Sequence, residues 1–383
     1  MGPIPYGKQH ITEEDIREVI RTLKSEYLTQ GPVIEQFEKA FANYTGAKYA
    51  VAVSNGTAAL HLSALALEVK KGESVITTPI TFAASANCIQ YCGGEVLFAD
   101  IDPTTYLIDI QALRKKLESP GPAHIKGIIV VDFAGHAANM EAFRKIADEF
   151  GLWIIEDACH APGAFFTDST NKKQLCGNGN FADLTVFSFH PVKHITTGEG
   201  GMIVTNNQQL YERLLVLRTH GITKNPAILD ENHGGWYYEM QELGYNYRLT
   251  DFQCALGLSQ LKRADENIAL RQKIASNYAK AFSNSSIVIP SVEKNSLHAF
   301  HLYVIKTKDR LGLYNHLKSK NIHAQVHYIP VHLQPYYKQL GFKKGDFPVA
   351  ESYYEECLSL PMYPTLSEAE QNYVIDEVLT YLS

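Results

Sequence analysis

The sequence predicts an α/β fold, in which a large domain holds a mostly parallel, seven-stranded sheet between helices and a smaller α+β domain follows. Three observations predict it. Short β-branched, apolar runs alternate with helical patterns over residues 49–205. Most of these runs are apolar on both faces, which is typical of strands buried between helix layers. The last third of the chain instead combines one strand pattern with separate helices and a loop.

The elements follow in order along the chain. Two amphipathic helices, EEDIREVIRTLKSE and VIEQFEKAFANY, precede the sheet, because their apolar residues recur at three- and four-residue spacing. Residues 249–282 form a long helical pattern without proline, which we expect to be one helix linking two domains. The seven strands are predicted at KYAVAV, SVITT, EVLFAD, GIIVVDF, LWIIEDA, LTVFSFH and GMIVTN.

The C-terminal part begins with a predicted strand, HLYVIKT, and continues with a helix after Asp309. A loop rich in proline and tyrosine covers residues 327–337, and a last helix covers residues 367–382. We therefore divide the chain into an N-terminal arm (1–13), a large domain (14–247), and a linking helix with a small C-terminal domain (248–383).

Composition excludes several classes of function. With 383 residues and 45% apolar content, the chain is long and apolar enough for two cores. Its 35 basic and 41 acidic residues include no basic run, so nucleic-acid binding is not expected. No signal peptide or long apolar segment is present, which predicts a soluble, cytoplasmic protein without membrane association. The six cysteines are scattered, so we expect reduced thiols and no metal site.

The first candidate site is SNGTAAL, residues 54–60, which follows a strand and opens a helix. The backbone N–H groups of Gly56, Thr57 and Ala58, the Thr57 hydroxyl and the positive end of the helix can together hold a phosphate. The same residues are also typical of a helix cap followed by a glycine turn, with no ligand bound. The motif therefore needs support from other residues.

The second candidate site is IIEDACHA, where Glu156 and Asp157 end an apolar strand. Ligands bind at the carboxyl ends of strands in open α/β sheets. A carboxylate at this place can keep a pyridine nitrogen protonated, which makes the ring an electron sink. His160 can bond or stack on such a ring, although a core or helix-capping histidine is an equal alternative.

The third candidate site is SFHPVKHITTGEGG, residues 188–201, between two predicted strands. Apolar, hydroxyl and glycine residues enclose Lys193, and desolvation lowers the pKa of such an amine and frees it for Schiff-base chemistry. Ser188 can add a hydrogen bond to a phosphate, and the glycines allow close approach of the backbone.

The order of the three sites is informative: a phosphate cradle, then a carboxylate for a ring nitrogen, then a lysine, each at the end of a strand. One small molecule with a phosphate, a pyridine nitrogen and an aldehyde needs these three groups. That molecule is pyridoxal 5'-phosphate, which we predict to be the cofactor.

Over almost its whole length the chain resembles the fold type I aminotransferases, and among them the sugar aminotransferases of the DegT/DnrJ/EryC/StrS family. The lysine-centred stretch and GYNYR carry the most specific part of this resemblance. The other matching stretches are LTQGPVIEQFE, SNGTAALHLSALAL, TPITFAASAN, ADIDPTTYLID, EDACHAPGA and LGYNYRLTDFQCALGLSQL.

The resemblance implies a role for each candidate residue. Lys193 would hold the cofactor covalently, Asp157 would pair with its ring nitrogen, and Phe82 would stack on its ring. Gly56, Thr57 and Ser188 would bind the phosphate, and His160 takes a position that is glutamine or histidine in many members. Asn246 is similar to the asparagine that reaches the phosphate from a neighbouring subunit, so a homodimer with shared active sites is expected.

Contacts to the substrate are predicted at two places. His327, Tyr328 and His332 lie in a loop that resembles the family's loop facing the nucleotide sugar, with structural packing as the alternative. Tyr6 and Lys8 in the N-terminal arm are candidates for substrate contacts, although such arms are often mobile. His190, beside Lys193, is a candidate for handling protons.

Within the family, the chain most resembles the transaminases that act in pseudaminic acid synthesis. The stretches that carry this resemblance are SFHPVKHITTGEGG, VDFAG and WYYEMQELGYNYR. The resemblance implies L-glutamate as amino donor and UDP-2-acetamido-2,6-dideoxy-β-L-arabino-hex-4-ulose as acceptor. An aminotransferase for another nucleotide 4-keto-sugar, such as UDP-4-keto-arabinose, is the alternative.

The sequence argues against three further functions. A sugar dehydratase on the same fold is disfavoured, because members of that type have histidine in place of Lys193. A regulator that binds the cofactor without turnover is disfavoured by the presence of the phosphate, carboxylate and lysine groups together. A nicotinamide dehydrogenase is rejected, since no G-x-G-x-x-G follows the first strand.

Overall fold

The computed structural model describes residues 2–119 and 124–383. All seven predicted strands form, and they lie in one sheet with helices on both faces, which confirms the predicted fold class. The bounds of these and the remaining strands are β1 (Tyr49–Val53), β2 (Ser74–Thr77), β3 (Glu95–Phe98), β4 (Ile125–Val131), β5 (Trp153–Asp157), β6 (Phe165–Thr167), β7 (Lys173–Leu175), β8 (Leu184–Ser188), β9 (Gly201–Thr205), β10 (Ile222–Thr223), β11 (Glu239–Met240), β12 (Tyr303–Lys306) and β13 (Cys357–Leu360).

The sheet has the strand order β1-β9-β8-β5-β4-β2-β3. β9 is antiparallel to its neighbours β1 and β8, whereas the pairs β8–β5, β5–β4, β4–β2 and β2–β3 are parallel. The carboxyl ends of six strands therefore meet at one edge of the sheet, and β9 begins at that edge. This edge is where ligands bind in open α/β sheets.

Several of the helices begin at residues whose side chains accept the first free backbone N–H groups. Thr12 and Ser367 form capping boxes, and Asn55, Asp109 and Asp309 accept from amides of their own helices. The helix bounds are α1 (Glu13–Leu23), α2 (Pro32–Thr45), α3 (Gly56–Ala66), α4 (Ala84–Tyr91), α5 (Ile110–Glu118), α6 (Met140–Phe150), α7 (Gln208–Arg218), α8 (Asp251–Leu261), α9 (Ala264–Phe282), α10 (Arg310–Ser319), α11 (Pro335–Gln339), α12 (Pro348–Glu356) and α13 (Glu368–Leu382). None of the described helices is both long and apolar enough to cross a membrane.

The prediction of one continuous helix over residues 249–282 is wrong. α8 ends at Leu261 and α9 begins at Ala264, because Arg263 leaves the helical conformation and its guanidinium lies 2.6 Å from Asp15 Oδ2 of α1. α8 packs against α1 and α2, whereas α9 packs against α13. The break thus lets two helices serve two different parts of the molecule.

Apolar cores lie on both faces of the large sheet, and a third core fills the C-terminal part around β12 and β13. Ile4 of the N-terminal arm is buried in this third core. Its N–H donates to the Asn321 carbonyl at 2.9 Å, and its own carbonyl accepts from His323 at 2.8 Å. The beginning of the arm is therefore attached to the C-terminal part, and this attachment places Tyr6 close to the edge of the sheet.

One buried carboxylate joins the start of α8 to the start of α2. Asp251 accepts the N–H groups of Gly31 and Val33 at 2.8 and 2.9 Å. Asp251→Ala leaves both amides without this acceptor, so we expect the free energy of unfolding to fall by about 2–4 kcal/mol. Urea denaturation followed by circular dichroism measures the loss.

Asp109→Ala is the matched control for that substitution, because Asp109 caps only its own helix, α5. Asp109→Ala should lower the free energy of unfolding by about 1 kcal/mol. Equal losses in the two variants would contradict a special role for Asp251 in joining the two helices.

Candidate active site

A cavity of about 690 Å³ opens at the carboxyl edge of the sheet. Twelve of the predicted site residues line it, and they come from the large domain, the N-terminal arm and the C-terminal part. These residues are Gly56, Thr57, Ala58, Phe82, Asp157, His160, Ser188 and Lys193, with Tyr6, His190, His327 and Tyr328 from the predicted substrate contacts. The three motifs that are far apart in the sequence are thus brought together.

The register of the sheet explains how the first and third motifs meet. Val53 at the end of β1 is opposite Gly201 of β9, and Gly201 is opposite Ser188 at the end of β8. A Cβ atom on Gly56 would lie 3.0 Å from Ser188 Cβ, and one on Gly201 would lie 2.6 Å from the Asn55 carbonyl oxygen. Glycine at both positions therefore allows the start of α3 to lie directly against the two strands.

The amino end of α3 supplies donors for an anion, with one correction to the prediction. Asn55 Oδ1 accepts the N–H of Ala58 at 2.8 Å, so this amide is already used inside the helix cap. Within the described residues, the N–H groups of Gly56 and Thr57 have no acceptor. These two amides remain available to a phosphate, together with the positive end of the helix.

Asp157 ends β5 and is 5% exposed. Its Oδ2 accepts a hydrogen bond from the Ser85 hydroxyl at 2.7 Å, and its Oδ1 accepts the N–H of Cys159 at 3.2 Å. Ser85 Oγ also lies 2.8 Å from Thr81 Oγ1. These bonds fix the orientation of a carboxylate that lines the cavity.

Glu156 lies on the opposite face of β5, as the alternation of side chains along a strand requires. Its Oε2 accepts from the Thr185 hydroxyl at 2.8 Å and from the N–H of Gly177 at 3.0 Å. The possible ligand atoms of Asp132, Glu156 and Cys176 lie within 4.8 Å of one another, buried and away from the cavity. Burial raises the pKa of the carboxyl groups of Asp132 and Glu156, which favours their protonated forms.

Lys193 lies in the turn between β8 and β9 and is half-buried. Burial of its amine lowers the pKa to about 8, while Cys159 and Asp157 act in the opposite direction. Roughly a tenth of the amine is therefore neutral and nucleophilic at pH 7, far more than for an exposed lysine. The described residues place one partner within hydrogen-bonding distance of Nζ, His301 Nε2 at 3.4 Å.

His160 is buried between the large domain and the C-terminal part. Its Nδ1 accepts the N–H of Ala134 at 3.2 Å, so its proton lies on Nε2, which is 3.3 Å from the Tyr328 hydroxyl. Burial, followed by the charge of Lys193, holds the pKa of His160 well below its usual value. The imidazole is neutral, and it can donate to Tyr328.

Three predicted residues lie outside this cavity. His332 is fully buried, its Nε2 is 2.9 Å from Glu351 Oε1, and its ring packs against Phe347, so the prediction that it contacts substrate is wrong. Its apolar surroundings and the Glu351 carboxylate make it a structural histidine. Lys8 and Asn246 are exposed and do not line the cavity of their own chain.

Sequence reasoning missed several residues that line the cavity. Ser85 lies in the quoted stretch TPITFAASAN, so its position after a strand could have indicated it. Tyr247 flanks Asn246 in GYNYR and could have been found in the same way. His301 precedes β12, far along the chain from the three motifs, and no local pattern points to it.

The residues fit pyridoxal phosphate. Asp157 offers a buried carboxylate for a ring nitrogen, Lys193 offers a partly deprotonated amine for an aldehyde, and α3 offers unpaired amides for a phosphate. Gly56 keeps the approach to these amides open, because a Cβ there would meet Ser188. The cavity volume of about 690 Å³ leaves room for a substrate beside the cofactor.

Comparisons with known proteins agree with this chemistry. Residues 9–379 match the DegT/DnrJ/EryC1/StrS aminotransferase family. The chain is 41% identical to the spore coat polysaccharide biosynthesis protein SpsC of Bacillus subtilis, over 98% of this chain and 96% of that protein. It is 37% identical to the UDP-4-amino-4,6-dideoxy-N-acetyl-beta-L-altrosamine transaminase of Campylobacter jejuni, over 99% of this chain and 97% of that protein.

A solved structure shares the whole fold. Spr1654 of Streptococcus pneumoniae in its PLP form superposes with a TM-score of 0.89, at 29% identity, over 99% of this chain and 98% of that one. Because the family match covers nearly the full length and the donor set fits the cofactor, the chain belongs to the DegT/DnrJ/EryC1/StrS aminotransferase family and is a pyridoxal-phosphate-dependent sugar aminotransferase.

Proposed function

We propose that the protein transfers the amino group of L-glutamate to C4 of a UDP-linked 4-keto-6-deoxy sugar. The acceptor is UDP-2-acetamido-2,6-dideoxy-β-L-arabino-hex-4-ulose, and the products are UDP-4-amino-4,6-dideoxy-N-acetyl-β-L-altrosamine and 2-oxoglutarate. The observation that carries this proposal is the 37% identity to the Campylobacter jejuni transaminase over 99% of this chain. The cytoplasm is the proposed location.

Pyridoxal phosphate, when bound, supplies an aldehyde that condenses with amines and a pyridinium ring that accepts electrons from a breaking bond at carbon. Asp157, whose carboxylate Ser85 holds in place, would keep the ring nitrogen protonated. The amides of Gly56 and Thr57 and the Ser188 hydroxyl would bind the phosphate. Phe82, which lines the cavity, would contact the ring.

Lys193 moves the protons of the reaction. With a pKa of about 8, Nζ is neutral often enough to remove the proton from the α-carbon of glutamate. In the second half-reaction Nζ delivers a proton to C4 of the sugar, and the side of delivery sets the configuration at that carbon. The donor product leaves before the acceptor binds, so the kinetics are expected to be ping-pong.

The sugar end of the site is formed by the N-terminal arm and the C-terminal part. The rings of Tyr6 and His327 lie 5.2 Å apart, and Tyr328 lies between Phe82 and His160 with its hydroxyl bonded to the latter. His190 is exposed beside Lys193 and also lines the cavity. We assign these side chains to binding of the nucleotide sugar.

The proposed acceptor is tested by incubating the protein with ¹⁵N-labelled L-glutamate and single UDP-4-keto-sugars, with product analysis by NMR. We expect ¹⁵N at C4 of the altrosamine product, and kcat/KM at least about tenfold higher than for UDP-4-keto-arabinose. A reversed preference would replace the proposed acceptor. Loss of a hydroxyl without transfer of nitrogen would instead support the dehydratase alternative.

Borohydride should fix the cofactor on Lys193, because hydride converts the link between Nζ and the cofactor into a stable secondary amine. Peptide mass spectrometry locates the label. Lys193→Ala should abolish turnover while the circular dichroism spectrum stays unchanged. Lys172→Ala is the matched control, since Lys172 is exposed and outside the cavity. A label on any other lysine would contradict the mechanism.

We further propose that the protein works as a homodimer. α1 buries the polar side chains of Asp15 and Thr22, whereas Ile16, Ile20 and Leu23 are 42%, 44% and 52% exposed. The spacing of these three residues places them on one face of the helix. An apolar face that is turned to solvent while polar residues are buried supports a partner subunit on this side.

Asn246 is the proposed contribution of one subunit to the site of the other. It is exposed between Tyr245 and Tyr247, whose rings stack 5.0 Å apart, and Tyr247 lines the cavity. In the part of the chain that the structure describes, its side chain has no hydrogen-bond partner. Its backbone forms a bridge to Thr219, which fixes the segment.

Mixing the inactive variants Lys193→Ala and Asn246→Ala tests the shared site. In the mixed dimer one site carries both lesions and the other carries none, so activity should rise to about a quarter of the wild-type value at random exchange. Turnover measured after demonstrated subunit exchange gives the answer. Lys193→Ala mixed with Asp157→Ala is the control. Both residues act in the cavity of their own chain, so in the mixed dimer one site lacks Lys193, the other lacks Asp157, and activity should not recover.

A further inference from the structure

The amine of Lys193 faces an imidazole to which neither the sequence patterns nor the family resemblance gave a role. His301 lies just before β12, is 5% exposed and lines the cavity. Its Nε2 is 3.4 Å from Lys193 Nζ. Its ring centroid is 4.3 Å from that of His160, so two histidines from different parts of the chain meet beside the lysine.

His301 is a hydrogen-bond acceptor toward the lysine. Burial, together with the charge of Lys193 and the neighbouring histidines, holds the pKa of His301 well below its usual value, so the ring is neutral. A protonated amine has only donors, and Nε2 must then accept while the ring proton lies on Nδ1. No described residue accepts a hydrogen bond from Nδ1.

The position of His301 is fixed by a buried cation. Arg271 is 1% exposed, and its Nη1 donates to the carbonyls of Phe300, His301 and Met362 at 3.1, 3.3 and 3.0 Å. Among the described residues no carboxylate pairs with this guanidinium, and burial lowers its pKa to about 9. Burying a cation costs free energy, and the hydrogen bonds from Arg271 to these three carbonyl groups offset that cost.

The same turn is held from the large domain. The N–H groups of Ala299 and Leu302 donate to the carbonyls of Gly135 and Ala134, at 2.7 and 3.2 Å. The N–H of Ala134 in turn donates to Nδ1 of His160. Phe300 takes a positive φ of 48°, which a residue with a side chain adopts only when its surroundings require it. Backbone contacts on both sides thus aim His301 at Lys193.

We propose that His301 is a positioning residue for Lys193. Its neutral imidazole accepts a hydrogen bond from Nζ, which keeps the amine directed into the cavity and stabilises the proton that Nζ carries between the donor carbon and the sugar carbon. No bond other than N–H and C–H bonds changes in this role. The inference rests on the proposed proton transfer by Lys193.

Other ionisable groups surround the same amine and contribute to its titration. At the end of β5 and just after it lie Asp157, Cys159 and His160. The lysine's own turn contributes His194, and the C-terminal part contributes His327 and Arg271. Cys159 and Asp157 favour the charged amine and Arg271 disfavours it. Substitution of His301 leaves all of these groups in place.

The test compares His301→Phe, which removes the acceptor and keeps a ring, with His301→Gln, which keeps an amide acceptor. The rate of Lys193 acetylation by acetic anhydride is measured against pH on the full chain freed of cofactor, by peptide mass spectrometry. The pH midpoint of the Lys193 acetylation rate should fall by about one unit in His301→Phe, because the protonated amine loses its hydrogen-bond acceptor. It should stay close to the wild-type value in His301→Gln.

Steady-state kinetics on the holoenzyme give the second measurement. We expect kcat of His301→Phe to fall about 100-fold, with KM for the sugar within about threefold. His136→Phe is the matched control, since His136 is buried nearby, pairs its ring with His298 and does not line the cavity. This control should leave the Lys193 midpoint unchanged.

An unmoved midpoint in His301→Phe would overturn the proposal, whatever happens to kcat. If that variant does not fold, His301→Ala adds no bulk and is interpreted in the same way. Mapping of the borohydride label separates the two hypotheses. A label on another lysine removes the proposed function, whereas a label on Lys193 with an unmoved midpoint removes only the role of His301.

Discussion

The alignment of β1, β9 and β8 is the constraint on which the site depends. Val53, Gly201 and Ser188 lie opposite one another across these strands, and the parallel pairing of β5 with β8 adds Asp157 to the same edge. A shift of one residue in any of these pairings would turn Ser188 or Asp157 to the other face of the sheet. Because β9 is antiparallel to β8, the turn that contains Lys193 lies at this edge, and β9 begins there.

Burial then determines the protonation states at this edge. The low polarity of the surroundings lowers the pKa of Lys193 and of the histidines next to it, so the histidines are neutral and Lys193 gives up its proton more readily than an exposed lysine does. Asp157 remains a good acceptor because Ser85 and the N–H of Cys159 donate to it. A site that must both remove and return protons benefits from bases whose pKa values lie near or below neutrality.

The sequence alone predicted the parts of this arrangement that are local. Each of the seven strands carries its own apolar signal, and Gly56, Asp157 and Lys193 each lie at or shortly after the carboxyl end of a strand, so their meeting at one edge follows from the topology. What it missed depends on contacts between distant residues. The break at Arg263 is set by Asp15, the burial of His332 by Glu351 and Phe347, and the placement of His301 by Arg271, and none of these pairs is close in the sequence.

The division of the site between two parts of the chain has a consequence for the chemistry. Lys193 and Asp157 belong to the large sheet, whereas His301, His327 and Tyr328 come from the C-terminal part, which has its own core. The two parts are joined at the site by the turn around Ala134, which bonds His160 on one side and Ala299 and Leu302 on the other. Any relative movement of the two parts would therefore change the distance between Lys193 and His301 before it changed the contacts within either core. The buried Arg271 holds the His301 carbonyl within the C-terminal part, so the distance between Lys193 and His301 depends on how the two parts lie against each other.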